Sequence, residues 1–178
     1  MTVRLSRRPM AIAFGAAVAL VLQAGTALAQ PAPAQPYAAG FFACLDAEPQ
    51  AETCIGRASQ PCFRGEPDGE TTLGMSMCLA MEGQLWEQEL RRTYFEAILA
   101  LRARDQSTRA FFDERFSGAA EALAASQATW RAWAEAECRL VYAEAGAGSI
   151  RNLDAGACDQ RVAAARLMRV RDILGGER

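Results

Sequence analysis

Six cysteines constrain the fold of this 178-residue chain more than any other feature. They are Cys44, Cys54, Cys62, Cys78, Cys138 and Cys158. An even number of cysteines in an oxidising compartment predicts up to three disulfides. The rival interpretation is a metal site, but the spacing contains no C-x2-C pair of the kind that zinc sites use. The cysteine pattern therefore favours a fold that is stapled by disulfides.

The N-terminal segment predicts that the cysteines do reach an oxidising compartment. Three arginines precede an apolar run over residues 11–22, and Ala-Leu-Ala at 27–29 has the form of a signal peptidase site. The run is too short to span a bilayer as a helix. We therefore expect a signal peptide over residues 1–29 and a periplasmic or secreted protein with no membrane anchor after cleavage.

The rest of the chain has the length of one domain. Removing 29 of the 178 residues leaves 149, which is enough for a single core. We predict a flexible Pro/Ala leader at 30–40, a cysteine-rich lead-in at 41–70 and a helical domain at 71–175. The lead-in contains three prolines and three glycines, so we expect loops with one or two short helical turns held by crosslinks.

Apolar residues at helical spacing predict a long first helix over residues 73–104. Its apolar face carries Leu79, Trp86, Leu90, Tyr94, Ile98 and Leu101. The polar segment at 105–108 is expected to end this helix.

A second and a third helix are predicted after this break. The second covers residues 110–145, with a possible interruption near Ser117 and Gly118, and includes the stretch QATWRAWAEAEC. One stripe of this helix holds Leu123, Gln127, Trp130, Ala134, Glu137 and Val141. The third helix is expected to open at Cys158 and to stop at Gly175. No segment alternates like a strand, so the predicted class is all-α: two long antiparallel helices, a C-terminal helix and a loop-rich N-terminal lead-in.

Composition disfavours several classes of function. The chain has no histidine, the usual base of a nucleophilic site. Three of the 19 basic residues lie in the predicted signal peptide, so 16 basic and 21 acidic residues give a charge of −5 after cleavage. This charge argues against nucleic-acid binding and is compatible with a basic partner. No carboxylate calcium loop, E-x-x-H pair or C-x-x-C-H haem motif is present, so no metal or cofactor is expected.

The acidic helix residues allow two interpretations. They form a solvated face with ion pairs such as Glu87 to Arg91, or a carboxylate pair of the glycosidase type, for which Glu82 and Glu137 are the candidates. The first interpretation is favoured, and we expect no enzymatic activity. Glu82 and Glu137 both lie near an apolar stripe, so burial against an arginine such as Arg166 is expected, in a structural role.

Two tryptophans three positions apart also allow two interpretations, a binding platform or a packed core. Spacing puts Trp130 near the centre of the apolar stripe, which favours the core. Trp133 lies at the edge of the stripe, where a platform for sugar or peptide stays open as an alternative.

The order of these motifs resembles the LprI-like lysozyme-inhibitor domain family. The matching residues are Cys78, Glu82, Trp86, Leu90 and Tyr94 in CLAMEGQLWEQELRRTY, Gln127, Trp130, Trp133 and Cys138 in QATWRAWAEAEC, Gly148-Ser149, and Cys158 with Arg166 in CDQRVAAAR. The resemblance covers about residues 62–174.

The resemblance implies a disulfide pattern and a function. The implied pairs are Cys62 with Cys78 and Cys138 with Cys158, which leaves Cys44 with Cys54. The implied function is a non-catalytic envelope protein that inhibits or binds lysozyme-type muramidases. The alternative is a periplasmic scaffold, or a module that binds a small ligand or another protein, with no lysozyme partner.

Overall fold

The structure is a computed structural model that describes residues 36–48 and 50–176. The predicted signal peptide and most of the predicted leader lie outside these ranges. The helices are α1 (Ala38–Ala47), α2 (Ser59–Gly65), α3 (Thr72–Phe111), α4 (Ala119–Glu144) and α5 (Arg151–Gly175), with 3₁₀ turns at Ala51–Cys54 and Glu114–Phe116. The two described ranges contain no strand, and the predicted all-α class is confirmed.

Helix α3 is the longest element, with 40 residues and a length of about 60 Å. The hydroxyl of Thr71 caps its start by accepting a hydrogen bond from the backbone N–H of Gly74 at 3.0 Å. A side chain on Gly74 would collide with the carbonyl oxygen of Asp68. A glycine at this position therefore lets the preceding turn lie directly against the first turn of the helix.

The break predicted at residues 105–108 is wrong, because α3 continues to Phe111. The carboxylate of Asp105 does not compete with the backbone of its own helix. It accepts hydrogen bonds from the backbone N–H groups of Ala119 at 3.1 Å and Ala120 at 2.9 Å. Asp105 thus caps the start of α4. This contact between two helices, and not the local sequence, determines the role of Asp105.

Helix α4 begins at Ala119, nine residues later than the predicted start at residue 110. Gly118 precedes it with φ = 110°, a left-handed conformation that glycine adopts without steric strain. The interruption predicted near Gly118 is therefore the start of the helix.

Helices α3 and α4 run antiparallel, as predicted. Asp105, near the end of α3, contacts the start of α4, whereas Glu87 in the first half of α3 contacts Arg131 in the middle of α4. Six- and seven-residue connections between consecutive helices suit such antiparallel packing.

Helix α5 begins at Arg151, seven residues before the predicted start at Cys158. Its first two turns contain a glycine and polar residues of low helix propensity, and packing outweighs this preference. Cys158 bonds to Cys138, and Arg166 contacts Gln127, so α5 is antiparallel to α4. With 25 residues it is almost as long as α4, which has 26.

The lead-in is more helical than predicted. Helix α1 begins at Ala38, inside the range predicted as a flexible leader, and α2 follows after a 3₁₀ turn. Disulfides join Cys44 to Cys54, Cys62 to Cys78 and Cys138 to Cys158. These are the pairs that the family resemblance implies. They tie α1 to the 3₁₀ turn, α2 to α3, and α4 to α5.

The core lies where the lead-in packs on α3 and α5. Trp86 of α3 is fully buried, and its ring meets that of Phe41 edge to face, with centroids 4.7 Å apart. Leu167 and Val170 of α5 are buried in the same cluster. Edge-to-face aromatic pairs add about 0.5–1.5 kcal/mol beyond the burial of their area, so the Phe41–Trp86 contact anchors α1 to α3.

Candidate functional site

Glu82 holds the lead-in against α3 through a fully buried carboxylate. One oxygen accepts hydrogen bonds from the Gly56 N–H at 2.7 Å and the Trp86 indole N–H at 3.1 Å. The other accepts from the backbone N–H groups of Ala58 at 2.9 Å and Ser59 at 2.6 Å. Three of the donors are backbone N–H groups of the lead-in, and the fourth is the indole N–H of Trp86, so the predicted arginine partner is wrong. We call Glu82 and these four donors the glutamate clamp.

The glutamate clamp leaves Glu82 unsuited to glycosidase chemistry. An acid or nucleophile of that kind must reach a sugar, whereas Glu82 is 0 % exposed and both of its oxygens are engaged by the protein. Glu137 is half-buried on α4, next to the disulfide of Cys138. The carboxylates of Glu82 and Glu137 therefore take part in different sets of contacts.

Arg166 makes its contacts with α4. Its Nε–H donates to Gln127 Oε1 at 2.8 Å, and a terminal N–H group donates to Ser126 Oγ at 3.2 Å. The guanidinium carbon lies 5.7 Å from the ring centroid of Trp130, within the range of a cation–π contact. Burial lowers the pKa of Arg166, and the positive charge of Arg169 lowers it further.

The remaining matching residues divide between core and surface. Leu90 is buried and Tyr94 half-buried on α3. Trp130 is half-buried and packs against the core, whereas Trp133 is 51 % exposed. Leu140 lies two turns further along α4, on the same face as Trp133, and is also exposed. Among the tryptophans, Trp133 alone presents most of an aromatic face to solvent, and Trp86 and Trp130 serve packing.

Glu89 is a buried acid that the sequence interpretation placed on a solvated face. Its carboxylate pairs with Arg92 at 2.6 Å and with Arg171 of α5 at 3.3 Å. Burial acts to raise the pKa of Glu89, but the hydrogen bonds and charges of Arg92 and Arg171 outweigh it and lower the pKa. The position of Arg171 within the apolar repeat of α5 could have indicated the Glu89–Arg171 pair.

A groove of about 720 Å³ runs between α3, α4 and α5. Trp130 forms part of its wall, and Glu87 pairs there with Arg131 at 3.5 Å instead of with Arg91. Burial raises the pKa of Asp159 in the same groove, and the negative charge of Glu87 raises it further. The groove thus combines an aromatic wall with polar groups of both signs, an arrangement that suits a small polar ligand.

The chain reversal between α3 and α4 carries an exposed aromatic cluster. Phe111, Phe112 and Phe116 are 81 %, 67 % and 63 % exposed. We call residues 106–116 the aromatic knob. Sequence reasoning did not single it out, although Phe111 and Phe112 have only polar residues three and four positions before them, a pattern that indicates an outward face.

No metal centre and no membrane span are found in the described ranges. Three or more Cys, Asp or Glu side chains do not converge in a metal-binding arrangement within residues 36–48 and 50–176. None of the helices described there is long and apolar enough to cross a membrane.

The fold is that of a disulfide-crosslinked helical bundle, and its buried acids serve to hold helices together. The chain belongs to the LprI family: the family model described as "Lysozyme inhibitor LprI" matches residues 62–169, more than half of the sequence. An uncharacterized protein of Rhizobium meliloti (strain 1021) is 25 % identical over an alignment of 125 residues that covers 68 % of this chain and 86 % of the relative. No solved structure matches the chain.

Proposed function

We propose that this protein is an exported, non-catalytic inhibitor of lysozyme-type muramidases. The observation that carries the proposal is membership of the LprI lysozyme-inhibitor family over residues 62–169. Export is supported by the signal-peptide pattern at 1–29 and by the use of all six cysteines in disulfides, which form and persist in oxidising compartments.

Electrostatics support a basic partner. After removal of the signal peptide the chain would carry 16 basic and 21 acidic residues, a charge of −5. Opposite net charges speed diffusional encounter and contribute less to affinity itself. The expected signature is therefore an association rate that falls as salt is added, with a smaller change in the dissociation rate.

A lysis assay tests the proposal. Protein that begins at Gln30, oxidised and monodisperse, is added to lysozyme and a suspension of bacterial cell walls, and turbidity is followed. We expect lysis to slow at micromolar inhibitor. Detergent lysis of whole cells in the presence of the same protein is the control, because an inhibitor of the enzyme leaves it unchanged. Undiminished lysis at micromolar excess over several muramidases contradicts the proposal.

A ligand-binding module or envelope scaffold is the second candidate, and the groove beside Trp130 favours it. A volume of about 720 Å³ with polar groups of both signs is within the usual range for a small-molecule site. A crosslinking pull-down that enriches one envelope protein, or a small molecule that copurifies, would support this candidate if the lysis assay is negative.

A further inference from the structure

We propose that the aromatic knob, residues 106–116, is the element that enters the substrate cleft of the inhibited muramidase. The inference rests on the proposed function and assigns it to one surface. Shape, exposure and charge of the knob support it independently.

The knob projects beyond the rest of the bundle. The last turns of α5 lie beside α3 at Ala100 to Arg104, where Leu101 packs near Ile173 and Leu174. Helix α3 then continues for six residues after Asp105, about 9 Å at the rise of an α-helix. Every residue from 106 to 116 is exposed except the half-buried Thr108. A convex, narrow projection of this kind is better suited to enter a cleft than to lie on a flat partner surface.

The knob presents aromatic side chains that lie outside the hydrophobic core. Phe111, Phe112 and Phe116 are 63–81 % exposed, and none belongs to the core cluster. Clustered exposed apolar side chains mark interaction sites, and aromatic residues with arginines carry much of the binding energy of protein interfaces.

Two arginines flank these rings with most of their hydrogen-bonding capacity free. Arg109 makes a 3.4 Å contact with Ser117 Oγ, and Arg115 lies 4.0 Å from Asp113 and over the ring of Phe116. Glycosidases of the usual mechanism carry two carboxyl groups in the cleft. A guanidinium pairs with a carboxylate through two parallel hydrogen bonds, so the arginines complement the chemistry of that cleft.

The charge of the knob favours a protein cleft over a lipid surface. Asp113 and Glu114 are exposed among the aromatic residues and balance Arg109 and Arg115. Helices that bind anionic bilayers instead carry an excess of basic residues beside the apolar side chains. A protein cleft that holds two carboxylates can instead form one ion pair with each arginine.

Matched variants test the assignment. We expect Phe111→Ser/Phe112→Ser to raise the inhibition constant at least ~30-fold, the usual effect of losing an interface hot spot. Arg109→Gln/Arg115→Gln should raise the inhibition constant roughly 10-fold, because it removes the charges that we pair with the carboxylates of the cleft. Trp133→Ser/Leu140→Ser removes two apolar side chains of α4 that are 51 % and 54 % exposed, and it should change the inhibition constant by less than about 3-fold. Circular dichroism and thermal unfolding check that every variant is folded.

Two further measurements identify the occupant. A short chitin oligosaccharide that fills the muramidase cleft should compete with the inhibitor. If the inhibitor binds outside the cleft, the oligosaccharide would not displace it, and this result would overturn the inference. Sedimentation with anionic phospholipid vesicles should show no binding; binding that the phenylalanine variant loses would assign the knob to a membrane surface and overturn the inference.

The outcomes separate the two proposals. If the unaltered protein fails to inhibit, the proposed function and the role of the knob both fall. If it inhibits and the phenylalanine variant inhibits within about 3-fold of it, the function stands and the knob is excluded as the contact.

Discussion

Replacing Glu82 by Gln is the sharpest perturbation of the fold, because the change keeps the size of the side chain, removes its charge and exchanges one acceptor oxygen for an NH₂ donor. Each carboxylate oxygen accepts two hydrogen bonds, from Gly56 and Trp86 at one and from Ala58 and Ser59 at the other. The substitution replaces one of these oxygens with an NH₂ group. Whichever way the amide turns, two N–H donors then face another donor.

The cost follows from those two donors. A buried N–H group that loses its acceptor costs about 1–3 kcal/mol, so two of them cost about 2–6 kcal/mol. The remaining two bonds also lose the contribution of the negative charge. A domain of this kind has a free energy of unfolding of about 5–15 kcal/mol, so the variant should lose a substantial part of it.

Urea unfolding with the disulfides intact measures this loss, and Glu87→Gln is the matched control. Glu87 lies on the same helix, and its carboxylate is 40 % exposed with Arg131 at 3.5 Å. Ion pairs of this type contribute about 0–1 kcal/mol. A Glu82→Gln variant that loses less than about 1 kcal/mol, or no more than Glu87→Gln, would refute the assignment of Glu82 as the clamp.

Three further outcomes are expected from the structure. The double change Cys138→Ser/Cys158→Ser opens a crosslink with a sequence separation of 20 and should lower the free energy of unfolding by about 3 kcal/mol; an unchanged urea midpoint contradicts this. Hydrogen bonds from the start of α4 lower the pKa of Asp105, so its contribution to stability is present above the unfolded pKa of about 4 and is lost as the pH falls through the lower folded value. The difference in unfolding free energy between the unaltered protein and Asp105→Asn should therefore shrink with acidification below pH ~4, and a constant difference contradicts it. Asp159→Asn should raise the urea midpoint at pH 7, because burial and the charge of Glu87 raise the pKa of Asp159 and so disfavour its ionised form; a lowered midpoint contradicts this.

The helical class and the face of α3 that packs inward could be predicted from spacing, because apolar residues every three or four positions leave few other arrangements. The helix ends could not. The stretch after Arg104 has the composition of a break, yet Asp105 finds its hydrogen-bond partners in α4. The start of α5 was missed for a related reason, since packing against α3 outweighs the low propensity of its first turns.

The candidate site was predicted only in part. Spacing correctly ranked Trp133 as the more exposed of the two tryptophans in α4. Spacing could not show that backbone N–H groups would satisfy Glu82 in place of an arginine, because those donors come from the lead-in, which two disulfides hold in position. Spacing indicates an outward face for Phe111 and Phe112, but it could not show that they lie beyond the rest of the bundle, since that depends on where α5 ends.

The residues that we propose for recognition lie apart from those that fix the fold, and this separation allows the two roles to be tested independently. Glu82, Trp86 and Arg166 are 0–9 % exposed and make the contacts that fix the fold, so replacing them should change the folded fraction while the folded molecules keep their affinity. Phe111 and Phe112 are exposed and lie outside the core cluster, so replacing them should change affinity at constant stability. A knob variant that lowered affinity and stability together would mean that the knob supports the bundle, and it would contradict this separation of roles.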